Sequence, residues 1–163
     1  MNAIEMLTEQ HREVEELISR IEDADDSDEK QDLFEEVADA LAVHAAIEEK
    51  HFYPAVEASR TEDIVLESLE EHLTIKRVLA DLLAIDSVDE TFDAKIAVLK
   101  ETVHHHAIEE EEKTLFPKVK KIFDKEELEA LGQQMTATMS EMEGTDPRFQ
   151  VPAQVEASAP PVV

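Results

Sequence analysis

Residues that break helices are almost absent from the first 144 positions of this 163-residue chain. The chain contains only two glycines and six prolines, and four of the prolines lie between residues 147 and 161. A long stretch without glycine or proline favours long helices over strands and tight turns. The sequence therefore predicts an all-α fold.

Apolar residues recur every three or four positions along four segments, as they do on the buried face of a helix. This periodicity predicts helices over about residues 3–23, 28–59, 59 or 61 to 85, and 89–123, with Asn2 as the N-cap of the first. The polar breaks between them are short, so neighbouring helices should run antiparallel. Residues 1–123 are therefore expected to form an up-down-up-down four-helix bundle.

The C-terminal part of the chain has a different pattern. Residues 124–144 carry leucines and methionines at helical spacing, which predicts an additional fifth helix whose methionines fill gaps against the bundle. Residues 145–163 are rich in proline and small residues, which is typical of a disordered tail. The chain is thus expected to contain one bundle domain, one further helix and a tail.

Acidic residues outnumber basic residues by 41 to 15, and the formal net charge is −26. Such a charge repels a phosphate backbone, so we expect no nucleic-acid partner. The chain has no cysteine, which excludes disulfides, iron–sulfur clusters and thiol chemistry. The sequence has no secretory signal at its start and no apolar stretch long enough for a membrane span, which predicts a cytoplasmic protein without membrane contact.

Two stretches of the chain repeat the same order of residues. In each, a histidine (His44 or His106) precedes a glutamate by four or five positions, and an aromatic–proline pair ending at Pro54 or Pro117 follows. Side chains about one helical turn apart lie on the same face of a helix. Because imidazole and carboxylate are both ligands of transition metals, the repeat predicts a doubled metal-ligand pair.

Each of the four predicted helices also places one histidine within its apolar stripe, and these are His11, His44, His72 and His106. A single histidine on such a stripe is more often a satisfied core residue than a ligand. Four of them with two glutamates are different, because burying an ionised carboxylate without a cation costs roughly several kcal/mol. The set predicts a metal centre inside the bundle, and both iron and manganese accept these donors.

The glutamate of the second repeat is open to two assignments. Glu110 follows His106 by four positions, as Glu48 follows His44. Glu111 instead lies six residues before Pro117, as Glu48 lies six residues before Pro54. A single-turn π-bulge would absorb the extra residue and bring Glu111 onto the face of His106. Glu111 is therefore the favoured ligand, and Glu110 is the alternative.

Two further assignments concern histidines near the repeats. Of the three consecutive histidines at positions 104–106, His106 continues the apolar stripe, so we expect His104 and His105 to flank the site or face solvent. His51 lies one turn beyond Glu48. It could be a further ligand or an outer hydrogen-bond donor.

These residues resemble the hemerythrin-like family, also called HHE cation-binding domains, over roughly residues 4–123. The resemblance rests on His11, on His44-x-x-x-Glu48 before Phe-Tyr-Pro, on Glu-Glu-His72, and on His106 with a glutamate run before Leu-Phe-Pro. It implies a bundle around a non-haem, carboxylate-bridged centre of two iron ions. The four seam histidines would then be terminal ligands, and Glu48 and Glu111 would bridge the irons.

Members of this family carry oxygen, sense oxygen or iron, or react with peroxide and nitric oxide. Lys76 stands where the oxygen carriers have a second histidine on the third helix, so one iron would have an exchangeable position unless His51 fills it. This favours a di-iron protein that binds O2 or a related small oxidant, with Tyr53 and Phe52 or Phe116 as candidates for lining its pocket. The alternatives are an iron- or oxygen-responsive sensor or storage module without turnover, and a metal-free helical adaptor.

Overall fold

The computed structural model describes residues 1–57 and 61–158. Helices within these residues are α1 (Ala3–Asp23), α2 (Ser27–Ile47), α3 (Tyr53–Val56), α4 (Glu62–Leu83), α5 (Glu90–His104), α6 (Phe116–Ile122), α7 (Lys125–Met142) and α8 (Val151–Ser158). A first π-helical segment, Glu48–Phe52, joins α2 to α3, and a second, His105–Leu115, joins α5 to α6. A 3-10 turn, Pro147–Gln150, precedes α8.

The predicted all-α bundle is confirmed. Helix α1 packs against α2 and α5, α4 packs against α5, and α7 lies on α1. Helices α2 and α3, joined by the first π-helical segment, run continuously where the second helix was predicted. Helices α5 and α6, joined by the second segment, do the same for the predicted fourth helix. Helix α4 begins at Glu62 after Thr61, and the other expected start, residue 59, lies outside the described residues. No described helix combines the length and apolarity that crossing a membrane requires.

Side-chain caps determine where several helices start. Asn2 accepts a hydrogen bond from the backbone of Glu5 at 3.0 Å, and the Glu5 carboxylate accepts one from the backbone of Asn2 at 3.0 Å. This capping box confirms Asn2 as the N-cap of α1. Asp124 and Glu127 form the same arrangement at the start of α7.

The core divides into two apolar clusters. The first contains Val14, Leu41, Ile75, Val103 and their neighbours, and the second contains Leu7, Ile47, Val65, Leu115 and theirs. Helices α1 and α4, and the continuous stretches from α2 to α3 and from α5 to α6, each contribute to both clusters. In each of the four, the predicted histidine lies between the two contributions. A polar layer therefore separates two apolar halves of one bundle.

The chain after α7 differs from the predicted disordered tail. Gly144 (φ 74°) and Asp146 (φ 50°) turn the chain, after which the 3-10 turn packs on α2 and α8 packs on α4. Arg148 donates to Asp39 Oδ2 at 2.7 Å, and Val151 is fully buried. The expectation of disorder is thereby corrected for residues 147–158, hereafter the C-terminal segment. Its prolines stand at the beginnings of helical turns, where a missing N–H is tolerated; residues 159–163 lie outside the described range.

Candidate metal centre

All six side chains that the sequence singles out as ligands lie in the polar layer between the apolar clusters. None is more than 5% exposed. Their ligand atoms form two groups, in each of which the atoms lie within 4.8 Å of one another. One group consists of His11, His44, Glu48 and Glu111, and the other of Glu48, His72 and His106.

Glu48 belongs to both groups because its two oxygens face different histidines. Its Oε1 atom lies 3.1 Å from Nε2 of His44. Its Oε2 atom lies 2.9 Å from Nε2 of His72 and 3.8 Å from Nε2 of His106. The carboxylate thus stands between the two groups with one oxygen directed to each.

Glu111 also contacts histidines of both groups. Its Oε1 atom is 2.9 Å from Nε2 of His106, 3.5 Å from Nε2 of His11 and 3.9 Å from Nε2 of His44. The alternative, Glu110, is partly exposed and lies 3.5 Å from His105 instead. The geometry therefore favours Glu111 over Glu110.

The second π-helical segment sets the direction in which Glu111 points, whereas the first begins only at Glu48, which keeps regular spacing from His44. The backbone N–H of Phe116 donates to the carbonyl of Glu111, and that of Tyr53 donates to the carbonyl of Glu48, both five residues back. The sequence predicts a single-turn bulge in the second segment, whereas the structure has eleven π-helical residues there. The first segment was not predicted. In both, a proline lies two residues beyond the last π-helical residue. Its ring would clash with a regular α-helical carbonyl four residues earlier, and the wider turn relieves this clash.

An oxygen acceptor lies beside the outward-facing nitrogen of each histidine. Such a partner fixes the ring's orientation and tautomer and leaves Nε2 available for a metal. None of these acceptors was identified from the sequence, because each depends on how two helices face one another. The Nδ1 contacts are His11 to Glu112 at 3.2 Å, His44 to Gln10 at 2.7 Å, His72 to Glu49 at 3.3 Å and His106 to Glu71 at 3.0 Å.

Several inward-facing atoms are left without a hydrogen bond. Among the described residues they include Nε2 of His11 and of His44, Oε1 of Glu48 and both oxygens of Glu111. The 3.1 Å contact between His44 and Glu48 does not have hydrogen-bond geometry. Buried polar atoms without partners are strongly unfavourable. Imidazole nitrogens and carboxylate oxygens are donors that suit a transition-metal cation, so this set fits one.

The charges in the layer shift the proton affinities of its members. Burial lowers the pKa of His44, but the adjacent Glu48 and Glu111 outweigh burial and raise it to about 9. Burial and the charge of Glu48 raise the pKa of Glu111, but His106 and His11 outweigh them and hold it at about 2. Without a metal, protons are therefore the cations that compensate the two carboxylates.

Tyr53 takes part in the same layer. Its hydroxyl donates to Glu48 Oε2 at 2.9 Å and lies 3.2 Å from Nε2 of His72 and 3.4 Å from Nε2 of His106. Burial and the charges of Glu111 and Glu48 raise the pKa of Tyr53 well above its usual value. Sequence reasoning identified Tyr53 only as a possible pocket residue, because its position before Pro54 gives no sign of this contact.

Other candidate residues are directed away from the layer. His51 contacts Thr138 Oγ1 at 2.7 Å and belongs to neither ligand group. His104 and His105 are more than half exposed. Lys76 donates to both oxygens of Glu49, at 2.9 and 3.1 Å, and Glu49 in turn contacts His72.

Comparisons with known proteins agree with this geometry. The family model described as Hemerythrin HHE cation binding domain matches residues 2–119. A crystal structure of a hemerythrin HHE cation binding domain-containing protein from Mycobacterium kansasii superposes with a TM-score of 0.79 at 28% identity, over 96% of each chain. A DNA nickase of Nostoc sp. is 26% identical over 143 residues, which are 88% of this chain but only 40% of the nickase. The chain belongs to the hemerythrin HHE cation-binding domain family.

Proposed function

We propose that this protein holds two iron ions between its helices and binds O2 or a related small oxidant, such as peroxide or nitric oxide, at that centre. One observation carries the proposal. Four buried imidazoles turn Nε2 inward onto Glu48, which both ligand groups share, and onto Glu111, which contacts histidines of both groups. An oxygen acceptor lies beside Nδ1 of each imidazole. A sensor or storage role without turnover would use the same ligands, so the test below separates the two.

The two ligand groups would each hold one ion. His11 and His44 would bind the first, His72 and His106 the second, and Glu48 and Glu111 would bridge them. Bound iron would supply the electrons for reduction of the small oxidant. The partners at Nδ1 keep the imidazoles oriented. By accepting a hydrogen bond from Nδ1, they also make Nε2 a more basic ligand atom.

The protein around the centre controls protons and water. In the metal-free chain, burial and the charges of Glu111 and Glu48 raise the pKa of Tyr53, so its hydroxyl stays protonated and donates a hydrogen bond to Glu48. Phe52 and Phe116 pack together beside the layer with ring centroids 5.6 Å apart, and both are buried. Apolar packing of this kind keeps water from the carboxylate side of the centre.

The residue at position 76, a lysine, favours a reactive centre over one that only carries oxygen. The resemblance to the oxygen carriers implies a second histidine at its position, but the Lys76 ammonium is engaged by Glu49 and contributes no ligand atom. His51, the possible substitute, is bonded elsewhere. Each ion would therefore have only two histidine ligands, which leaves coordination positions open to exchange.

The likeness to a DNA nickase does not extend this proposal to nucleic acid. The chain spans less than half of that relative's length. Its net charge of −26 also opposes a phosphate backbone. We therefore propose a small-molecule ligand and no nucleic-acid partner.

Optical spectra of the iron-loaded protein test the proposal. A carboxylate-bridged di-iron centre that binds oxidants should show a near-ultraviolet charge-transfer band in air, and this band should change when hydrogen peroxide or nitric oxide is added. The His44→Ala variant should lack the band, and the His105→Ala variant should keep it. A band that is inert to every oxidant, in a protein whose melting depends on iron, would contradict the proposal and favour the sensor or storage role.

A further inference from the structure

A small cavity lies on the histidine side of the centre. Its volume is about 20 Å³, which is room for roughly one small molecule. All four ligand histidines line it, whereas Glu48 and Glu111 do not. Gln10 and Lys76 contribute to the remaining wall, which is otherwise aliphatic and includes Val14, Leu41, Ile75, Leu79, Val103 and Val151.

Val151 differs from the other aliphatic wall residues because it does not come from a bundle helix. It is the first residue of α8, beyond residues 2–119 that the family model matches. Its side chain is fully buried and packs with the first apolar cluster. The C-terminal segment thus contributes a wall to a cavity that the bundle would otherwise build alone.

The C-terminal segment is fixed in place on both sides of this cavity. The backbone N–H of Arg148 donates to Asp39 Oδ1 at 3.0 Å, and its guanidinium donates to Asp39 Oδ2 at 2.7 Å. The guanidinium also lies 3.6 Å from Glu35. Since the 3-10 turn packs on α2 and α8 packs on α4, the segment bridges these two helices and holds Val151 against the cavity.

We propose that Val151 is a specificity-determining residue, and that through it the C-terminal segment restricts the centre to ligands of two or three heavy atoms. A bulkier molecule would have to displace the buried Val151 and the segment that carries it. This inference rests on the proposed function, since it makes the cavity the ligand pocket of the metal centre.

Xenon binding tests the cavity without depending on iron chemistry. Crystals of the full chain as purified would be pressurised with xenon, for wild type, Val151→Ala and Val151→Ile, with Val98→Ala as a matched control at a half-exposed position. Apolar cavities of sufficient size bind xenon. Val151→Ala should show more xenon next to the four histidines than wild type and the control, and Val151→Ile should show none. Equal occupancy in wild type and Val151→Ala would overturn the inference.

Peroxide selectivity tests the specificity directly. The rates of reaction of the iron-loaded proteins with hydrogen peroxide and with tert-butyl hydroperoxide would be compared. Val151→Ala should raise the rate with the bulky peroxide relative to the small one by about tenfold, and Val151→Ile should lower it, as expected for changes of a methyl group or two. The Val98→Ala ratio should equal that of wild type.

The outcomes separate this inference from the proposed function. If the ratio is unchanged in both Val151 variants, or if Val151→Ala loses its iron, Val151 does not select ligands and the inference fails, whereas the di-iron proposal stands. If wild type reacts with neither peroxide, the proposed function fails. The claim that Val151 selects ligands then fails as well. The xenon result still decides whether Val151 limits the size of the cavity.

Discussion

The Oε1 atom of Glu111 lies 2.9 Å from Nε2 of His106, although the two residues are five positions apart on one helical column. In a regular α-helix, a separation of four would bring them closest to one face. The π-helical segment His105–Leu115 makes up the difference. A wide turn thus determines which glutamate of a run of four reaches the buried histidine layer.

This relationship predicts different effects for neighbouring glutamates. Glu111→Gln should lower the iron content of the purified protein to at most one ion per chain, because the amide cannot bridge as an anion. Glu110→Gln should leave the iron content unchanged, since Glu110 is partly exposed and contacts His105. Metal analysis by mass spectrometry measures both, and the reverse order of effects would show that the assignment of Glu111 is wrong.

The outer hydrogen bonds predict an effect for a residue that would touch no metal. Gln10→Leu removes the acceptor that lies 2.7 Å from Nδ1 of His44. Loss of such a partner typically lowers metal affinity by about 10- to 100-fold. Competition with a chelator measures this change, and the exposed Gln134→Leu serves as the matched control. If both variants compete like wild type, the Gln10 contact does not support the ligand.

Removal of the metal should destabilise the fold. Ligands that bind only the folded state contribute about 2.7 kcal/mol when present at a hundredfold excess over the dissociation constant. For a chain of this length, such a loss lowers the melting temperature by roughly 5–10 °C. Thermal unfolding followed by circular dichroism, with and without chelator, measures the difference. His44→Ala should melt like the chelated protein and show no response to chelator, and a chelator response equal to that of wild type would argue against His44 as a ligand.

The metal-free protein should lose stability as the solution becomes alkaline. The pKa of His44 is about 9 in the folded chain, against 6.5 for an unperturbed histidine. A raised pKa means that its stabilising contribution is complete below pH 6.5 and is lost as the pH rises through 9. The difference corresponds to roughly 3 kcal/mol.

Urea unfolding of the chelated protein at pH 6.5 and pH 9 checks this prediction. His106 acts in the same direction: burial lowers its pKa, but Glu111 and Glu48 outweigh burial and raise it well above the usual value. The free energy of unfolding should therefore be lower at pH 9, and His44→Ala should show a smaller decrease. A free energy that is equal or higher at pH 9 would mean that these histidines are not proton partners of the carboxylates.

Much of the candidate site was predictable because it follows from local periodicity. The spacing of apolar residues along single helices is enough to place His11, His44, His72 and His106 in one layer. Comparison of the two repeats indicates Glu111. The first π-helical segment was not predictable in this way, because His44 and Glu48 have regular α-helical spacing and the turn widens only after Glu48.

The contacts that could not be predicted join distant parts of the chain. Gln10, Glu49, Glu71 and Glu112 become partners of the histidines only through the relative rotation of packed helices. The pairing of Arg148 with Asp39 joins residues 109 positions apart. A proline-rich composition suggested disorder there. The buried Val151 and the partly buried ion pair of Arg148 with Asp39 instead join the C-terminal segment to the bundle.

The most direct test of the account is the metal content of protein purified in air from iron-fed cells. We expect two iron ions per chain, released together when the histidine–glutamate layer is disrupted by Glu48→Ala. Protein that contains no transition metal, and that unfolds with the same midpoint and cooperativity whether or not ferrous salt is added, would contradict the claim that a metal pair joins the four helices.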